Sequence, residues 1–227
     1  MPRKSNAETK HTIHKKIRAE IITGKKRPGE KLSIDTLKQE FGTSVTPVRD
    51  ALQMLNQEGL VTIKARAGYY ITTVTLKELN DMLEFREILE LAAVERAAEK
   101  ITDIQIAGLE AVHAGYTDDK DETYSRYADE NHNFHCLVAK ASGNDELADQ
   151  ISRVHDRLAR FMIVVRSGKY MINIHQRLID RLKAHDPAGA KKTLKKELDE
   201  GRTVIMDRIM REEAGSWHLG AASGSTR

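Results

Sequence analysis

The feature that most constrains the fold is a change in hydrophobic periodicity near Val74. Before this position, three segments with apolar residues at helical spacing are followed by two short segments in which apolar and polar residues alternate. After it, only helical spacing is found, interrupted by turn-forming residues. The sequence therefore predicts a small unit of helices and a β-hairpin, followed by an all-helical unit.

Three helices are predicted before the hairpin. The first runs from Thr9 to Thr23, the second follows an N-cap at Ser33 and ends at Gly42, and the third begins near Thr46-Pro47. A serine oxygen can accept a hydrogen bond from an amide of the first turn, and proline is tolerated early in a helix because its missing N–H has no intrahelical partner there. The second and third helices are therefore joined by a tight turn.

Two short strands complete the first unit. Residues 60–65 alternate in polarity, Gly68 lies in the turn, and residues 69–73 can pair back as a second strand. The order helix, helix, turn, helix, hairpin is typical of a winged helix-turn-helix, whose third helix enters the major groove of DNA while the hairpin contacts the flanking backbone or minor groove. We assign this domain to residues 1–73.

The second unit, residues 74–214, is predicted to be a bundle of about six helices. Thr75 with Glu78 forms a capping box for a helix that ends near Lys100, and Thr102 with Gln105 forms another. Further helices are expected near residues 120–142, 145–167, 169–185 and 187–212. Residues 215–227 are rich in Gly, Ser and Ala, and are predicted to be a disordered tail. The predicted fold class is mainly α.

Charge is distributed unevenly along the chain. Residues 1–73 hold 14 Lys and Arg against 7 Asp and Glu, which leaves 23 and 27 of the totals of 37 and 34 for the remainder. A compact basic segment joined to an acidic body is typical of a nucleic-acid-binding protein. Cys136 is the only cysteine, which excludes an intrachain disulfide, and no apolar run reaches membrane-spanning length. We therefore expect a soluble, cytoplasmic protein without a membrane partner.

Several motifs in the first unit resemble the GntR family of bacterial transcription regulators: Pro28-Gly29-Glu30-Lys31-Leu32, Thr46-Pro47-Val48-Arg49-Asp50-Ala51-Leu52 and Glu58-Gly59-Leu60-Val61. The second unit resembles the FadR-type effector domain of this family, the FCD domain, at Arg86-Glu87-Ile88-Leu89-Glu90, Phe134-His135, His175 and Asp186-Pro187. The resemblance implies a homodimer held by the helical domains, a two-fold operator in double-stranded DNA, and a pocket for a small carboxylate metabolite. A ligand-responsive regulator, specifically a repressor, is therefore expected rather than an enzyme.

Arg49 is the residue expected to contact bases. It lies near the start of the third helix, where a guanidinium can bond to guanine O6 and N7, and the resemblance places a base-contacting Arg at this position. The alternative is an ion pair with Asp50 or Glu58. Val45 stands where many family members carry Arg, and it could instead contact a thymine methyl.

Other residues of the first unit are expected to contact the DNA backbone, although some of them have purely structural alternatives. A hydroxyl before or at the start of the third helix can donate to a phosphate or simply cap the helix. Glycine in the wing permits a close approach to DNA, or serves only a turn with positive φ. The predicted contacts are Thr43, Ser44, Thr46, Lys64, Arg66 and Gly68, with Lys4 and Lys10 adding phosphate attraction.

In the helical unit, polar residues interrupt apolar stripes. Asn131 and His135 share a helix face with Tyr124, Tyr127 and Val138, and so should point inward together. Arg86 extends the stripe of Leu79 and Leu83; it either pairs with Glu90 or binds an effector carboxylate. The predicted effector-binding residues are Arg86, Tyr127, Asn131, His135 and His175.

The resemblance also implies a metal site. Asn131, His135, His175 and Glu197 occupy positions at which the metal-binding branch of the FadR-type domain carries Asp, His, His and His, so two of the four residues are exchanged. Two imidazoles and a carboxylate still suit a divalent transition metal such as Zn or Ni, to which the Asn would add a weak oxygen ligand. The alternative is a metal-free pocket in which both histidines bind the effector directly.

A helical-bundle metalloenzyme is the competing interpretation. Glu110 and His113 form a Glu-x-x-His motif, but di-iron bundles need this motif twice, and the second candidate, Asp129 to His132, has Asp in place of Glu. An enzyme would also leave the basic first unit unexplained. We assign no role to His113, His132, His155 and His185, which are interpreted as surface residues or hydrogen-bonded histidines of the bundle.

Overall fold

A computed structural model of the chain describes the backbone of residues 6–114, 121–162 and 168–212, and the side chains of residues 9–114, 129–162 and 172–211. The predicted tail and Lys4 lie outside the described residues. The internal contacts divide the described chain into two compact units, one that ends at Leu76 and one that begins at Lys77.

The first unit is a winged helix-turn-helix, as predicted. Its described part contains α1 (Asn6–Ile22), β1 (Lys31–Leu32), α2 (Ile34–Phe41), α3 (Val45–Gln57), β2 (Val61–Lys64) and β3 (Gly68–Ile71). The three strands form one antiparallel sheet in the order β1-β3-β2. Apolar side chains of the helices and the sheet form a shared core, which includes Ile13, Ile17, Leu52, Leu55 and Ile71.

The ends of α2 follow the capping expected from the sequence. The Ser33 side chain accepts a hydrogen bond from the Thr36 amide at 3.3 Å. At the other end, Gly42 adopts a φ of 57°, and its own N–H bonds back to the last turn of the helix. Such a left-handed residue at a helix end favours glycine, which has no Cβ to clash. The short turn that follows leads directly into α3.

The sheet differs from the prediction in two respects. Strand β1 was not predicted, because two residues carry no periodic signal; pairing of Lys31 and Leu32 with Tyr70 and Tyr69 creates the strand. In addition, Gly68 is not at the tip of the wing, because it pairs with Lys64 as the first residue of β3. The turn consists of residues 65–67, where Arg66 has a φ of 60°. Gly68 does have the expected positive φ, 108°.

The second unit is helical throughout its described residues. It contains α4 (Leu76–Lys100), α5 (Asp103–Ala111), α6 (Asp121–Ala141), α7 (Asp145–Met162), α8 (Gly168–Lys183) and α9 (Pro187–Glu212). The capping box of Thr102 and Gln105 is present at the start of α5. The predicted end of α7 beyond residue 162 lies outside the described residues.

A main apolar core and a smaller apolar cluster hold the second unit together. Apolar side chains of α4, α5, α6, α8 and α9 pack against each other, among them Val94, Leu109, Phe134, Leu178 and Leu194. A second apolar cluster, with Ala93, Ala139 and Ile151, packs α7 against α4 and α6. The helices therefore surround a common interior in which any polar side chain is removed from water. None of the described helices is long and apolar enough to cross a membrane.

Candidate functional site

Polar side chains converge in the interior of the second unit from five helices. Each is at most 6% exposed, although isolated charged groups are costly to bury unless they are paired. We call this group the interior cluster. It consists of Arg86 and Glu90 on α4, Asn131 and His135 on α6, His155 on α7, His175 on α8 and Glu197 on α9.

Glu90 links one half of the interior cluster. Its Oε1 accepts hydrogen bonds from Arg86 Nε and from His155 Nε2, both at 2.6 Å. Burial by itself raises the pKa of Glu90, but Arg86 and the two nearby imidazoles outweigh it and hold that pKa well below its ordinary value. Burial and the Arg86 guanidinium lower the pKa of His155 to about 3, so this imidazole is neutral at pH 7. The predicted ion pair of Arg86 with Glu90 is confirmed.

The other half of the interior cluster centres on Glu197. His135 Nε2 lies 3.2 Å from Glu197 Oε1, and His175 Nε2 lies 3.1 Å from the same oxygen. Burial lowers the pKa of His135, but the carboxylates of Glu90 and Glu197 overcome this effect and raise it to about 9. Burial raises the pKa of Glu197, yet the imidazoles of His175 and His135 lower it overall. Two imidazoles therefore share one buried, ionised carboxylate.

Each of these two imidazoles is also held at its other ring nitrogen. His135 Nδ1 lies 2.8 Å from Glu90 Oε2. His175 Nδ1 lies 2.7 Å from Nε2 of His113, whose Nδ1 lies 3.3 Å from Glu130 Oε2. Histidines that bind metal ions usually have the second ring nitrogen oriented in this way by a carboxylate or another polar group. The Nε2 atoms of His135 and His175 consequently both face Glu197 Oε1.

Asn131, one turn before His135 on α6, has an unsatisfied acceptor. Among the described residues, its buried Oδ1 has no hydrogen-bond partner, and the same is true of Glu197 Oε2. An unpaired buried acceptor costs about 1–3 kcal/mol. A cation or a ligand with donor groups would remove this cost. One of the terminal nitrogens of Arg86 lies 3.4 Å from His135 Nε2.

The structure thus brings together most of the predicted effector and metal residues. Arg86, Asn131, His135, His175 and Glu197 share one interior, whereas the side chain of Tyr127 lies outside the described residues. Two histidines without an assigned role also take part. His155 could have been found from its spacing with the buried Ile151 and Leu158 on α7, but no local pattern indicates His113.

In the first unit, Arg49 is exposed on the first turns of α3, and its guanidinium forms no hydrogen bond or ion pair with another described residue. The alternative pairing with Glu58 is wrong, because that carboxylate contacts His14 and Arg18 instead. Ser44 is the N-cap of α3, but its side chain makes no capping hydrogen bond. Both side chains are therefore available to a ligand at the start of this helix.

The remaining residues predicted to contact DNA lie around the same helix start and on the wing. Thr46 is exposed, while Thr43 and Val45 are half-buried. Lys64 lies over the Tyr70 ring at 4.7 Å, and Lys31, from the unpredicted β1, lies over it at 5.8 Å. Stacking on an aromatic ring orients a flexible ammonium group. With the exposed Arg66 at its tip, the wing presents a basic surface.

The two acidic-residue/histidine motifs do not form a di-iron site. Glu110 is exposed and pairs with Lys183, whereas His113 faces His175 in the interior. Asp129 is also exposed, and His132 lies on the side of α6 that faces Asp156 of α7. The described residues therefore lack the paired Glu-x-x-His arrangement that a di-iron bundle needs.

A winged helix-turn-helix joined to a helical unit is an arrangement typical of bacterial transcription regulators. Two family profiles match the sequence: "Bacterial regulatory proteins, gntR family" at residues 9–71 and "FCD domain" at residues 81–200. The chain belongs to the GntR family of bacterial regulatory proteins and carries an FCD domain.

Curated relatives are transcription regulators. The chain is 26% identical over 191 residues to the regulator YdhC of Bacillus subtilis, and this alignment covers 79% of this chain and 83% of that protein. It is 23% identical over 210 residues to the transcriptional repressor RspR of Escherichia coli, with 90% and 91% coverage. Over 136 residues it is 31% identical to the Nta operon transcriptional regulator of Aminobacter aminovorans, with 58% and 63% coverage.

Solved structures share the fold. Escherichia coli McbR/YncC aligns with a TM-score of 0.69 at 19% identity, covering 88% of this chain and 98% of that one. A GntR-type regulator from Rhodococcus sp. RHA1 aligns with a TM-score of 0.64 at 20% identity, with 87% and 97% coverage. Together with the two profiles, these likenesses identify a transcription regulator, and the metalloenzyme interpretation is wrong.

Proposed function

We propose that this regulator is a homodimeric repressor that binds a two-fold operator and responds to a small organic acid bound in the interior cluster, with a divalent metal ion as intermediary. The observation that carries the effector part is the convergence of His135 Nε2 and His175 Nε2 on one oxygen of Glu197. Arg86 lies 3.4 Å from His135 Nε2, and Asn131, one turn before His135 on α6, has a buried Oδ1 without a hydrogen-bond partner among the described residues. For the DNA part, the support is the basic wing and Arg49 on α3, which has no partner among the described residues.

The donor set suits a divalent transition metal. One ligand atom from each of His135, His175 and Glu197 lies within 4.8 Å of the other two, which is close enough for all three to contact one ion. We propose that His135, His175 and Glu197 hold the ion and that Asn131 adds a weak oxygen ligand. A bound ion would supply positive charge and open coordination positions for a carboxylate.

The outer partners support the same proposal. If His113 Nδ1–H donates to Glu130, then His113 Nε2 is an acceptor, and His175 must carry its proton on Nδ1. The lone pair of His175 Nε2 would then face Glu197 Oε1 at 3.1 Å, so two acceptors would be in contact. A cation between them removes this repulsion. Arg86, already bonded to Glu90, would contact the effector carboxylate from the other side.

The proposed response of the repressor is a shift between dimer states. A ligand changes such an equilibrium only to the extent that it binds one state better than the other. The interior cluster joins five helices, so an ion and a carboxylate bound there would favour one arrangement of those helices. Operator affinity would then follow effector concentration.

The experiment that tests the DNA part is fluorescence anisotropy with duplexes from upstream of the protein's own gene, at two salt concentrations. We expect affinity to fall steeply as salt rises, because Lys and Arg side chains displace counterions from phosphates. Absent or salt-independent binding would contradict the DNA part of the proposal.

The effector part is tested by elemental analysis and by a pair of variants. Protein purified without chelator or metal-affinity resin should contain a divalent transition metal. A screen of organic acids should identify ligands that raise the melting temperature and release the DNA. The double variant His135→Gln/His175→Gln should lose both responses and keep its DNA affinity. His132→Gln, on the same helix but outside the interior cluster, is the control. If the double variant retained full effector affinity and DNA release, the site would be misplaced.

A further inference from the structure

A second polar site lies in the groove between α8 and α9. The groove contains a pocket of about 230 Å³ with four basic residues in its lining. Arg177 and Arg181 are one turn apart on α8, and Lys192 and Lys196 are one turn apart on α9. Like charges at this helical spacing repel each other. The pocket thus concentrates positive charge within residues 74–227, the part of the chain in which acidic residues outnumber basic ones.

The neighbouring lysines of α9 show that this concentration is specific to the pocket. Lys191 Nζ lies 2.9 Å from Glu95 Oε2, and Lys195 Nζ lies 2.8 Å from Glu87 Oε1, so both pair with carboxylates of α4. Lys195 also contacts Asp199 on its own helix, at 3.0 Å. The lysines of α9 that face α4 are therefore neutralised.

The four basic residues of the pocket are less well matched. Arg181 pairs with Asp186 at 3.1 Å, and Lys196 Nζ lies 3.8 Å from Glu200. Arg177 and Lys192 form no side-chain hydrogen bond or ion pair with any residue that the structure describes. At least two cationic groups in one small pocket thus lack a counter-ion among the side chains that the structure describes.

Glu197 also lines the pocket, but its charge is used elsewhere. The carboxylate is 5% exposed and contacts His135 and His175 in the interior cluster. It therefore does not neutralise the groove. The hydroxyl of Thr193, which donates to Gly189 O at 2.8 Å, adds a polar group to the lining.

We infer that this pocket binds a small, multiply charged anion of the phosphoryl class, such as a phosphorylated metabolite. Guanidinium groups match phosphate oxygens with paired hydrogen bonds, and ammonium groups add point charges. A pocket of about 230 Å³ accommodates a small molecule rather than a polymer. The inference does not depend on a metal ion or an effector in the interior cluster, and it would give the helical unit a second ligand.

The test is calorimetric titration of full-length protein with inorganic pyrophosphate at low salt. The protein is first treated with chelator, so that the anion cannot bind through a metal ion. The pocket variant is Lys192→Gln/Lys196→Gln. The matched control is Lys191→Gln/Lys195→Gln, which removes the same charge at the same spacing from the same helix but lies outside the pocket lining.

We expect saturable binding of pyrophosphate to the unmodified protein. The affinity should be at least about tenfold lower in the pocket variant, and in the control variant it should stay within about twofold of the unmodified protein's value. Circular dichroism and melting temperatures establish that both variants are folded. Absence of saturable binding, or equal weakening in both variants, would overturn the inference. Citrate binding more tightly than pyrophosphate would overturn the phosphoryl class. A larger loss of operator affinity in the pocket variant than in the control, without pyrophosphate binding, would reassign the groove to DNA.

Discussion

At the scale of the residue, His135 decides the charge of the interior cluster. Its Nδ1 faces Glu90 and its Nε2 faces Glu197, so one imidazole lies between two buried carboxylates. With its pKa raised to about 9, His135 is protonated at pH 7, and together with Arg86 it balances both carboxylates. A metal ion at Nε2 would have to replace that proton.

Because a metal ion must displace this proton, metal binding is expected to depend on pH. The pKa of His135 lies at about 9, and burial lowers the pKa of His175, so His135 carries the proton that must leave. Apparent metal affinity should therefore rise about tenfold per pH unit between about pH 6.5 and pH 8.5, and level off above about pH 9. Competition with a chromogenic chelator at several pH values measures this slope. A flat profile would show that His135 is not a ligand.

Arg49 is the residue on which sequence discrimination is expected to depend. Arg49→Ala should weaken the free energy of operator binding by about 1–3 kcal/mol and relax the base preference at one base pair per half-site. Arg49→Lys keeps the charge but loses the paired hydrogen bonds to guanine, so it should retain non-specific affinity and lose the same preference. Anisotropy titrations with the operator and with single-base variants distinguish these outcomes. Equal losses on all sequences would reassign Arg49 to a phosphate contact.

At the scale of the element, α5 contributes to the site without supplying a metal ligand. His113, two residues after its last residue Ala111, contacts His175 Nδ1, and Glu130 of α6 contacts His113 in turn. The rings of His113 and His175 also stack, with centroids 5.0 Å apart. Packing of α5 against α8 therefore helps to orient His175, the proposed metal ligand on α8.

The effect of this orientation can be measured. His113→Ala should lower metal affinity by about 10–100-fold, the usual consequence of losing an outer partner of a ligating histidine. Glu110→Gln is the control, because this residue is exposed on α5 and its partner is Lys183. Chelator competition gives the affinities, and melting of the metal-free proteins separates positioning from loss of stability. Unchanged affinity in a folded His113→Ala protein would contradict the role of His113.

Local signals explain why most elements were predicted. The helix N-cap at Ser33, the left-handed Gly42 and the capping box of Thr102 with Gln105 each act within a few residues, so the chain itself encodes them. The strand β1 has no such signal. It exists because Lys31 and Leu32 find hydrogen-bonding partners in β3, far along the chain.

At the scale of the whole molecule, two exposed apolar side chains on α4 mark a candidate contact for the proposed homodimer. Phe85 and Ile88 are 44% and 60% exposed, one turn apart on α4. Large apolar side chains that adjoin each other at a surface often mark a contact with another protein. A single winged helix also contacts few base pairs, so a two-fold protein on a two-fold operator gives the specificity that a regulator needs.

Light scattering tests this assignment. The full chain should have the mass of a dimer at micromolar concentration, and so should residues 77–214 alone if the helical unit holds the contact. Ile88→Glu should shift the equilibrium towards monomer by burying a charge at the contact. Ile104→Glu is the matched control, because Ile104 is 86% exposed on α5. A monomeric helical unit would place the dimer contact elsewhere.

The two-unit organisation, the order of the helices and the winged helix-turn-helix were predictable from the sequence, because periodicity and caps act within single elements and need no knowledge of distant parts of the chain. Family resemblance, rather than periodicity, indicated Asn131, His135, His175 and Glu197 as candidate site residues.

Contacts between elements could not be read from the sequence. Glu58 binds His14 and Arg18 rather than Arg49. Glu90 binds His155 in addition to Arg86, its neighbour one turn earlier on α4, and His113 contacts His175. Burial forces each polar group to find a partner, and for these contacts the available partners depend on which elements pack together rather than on neighbours in sequence.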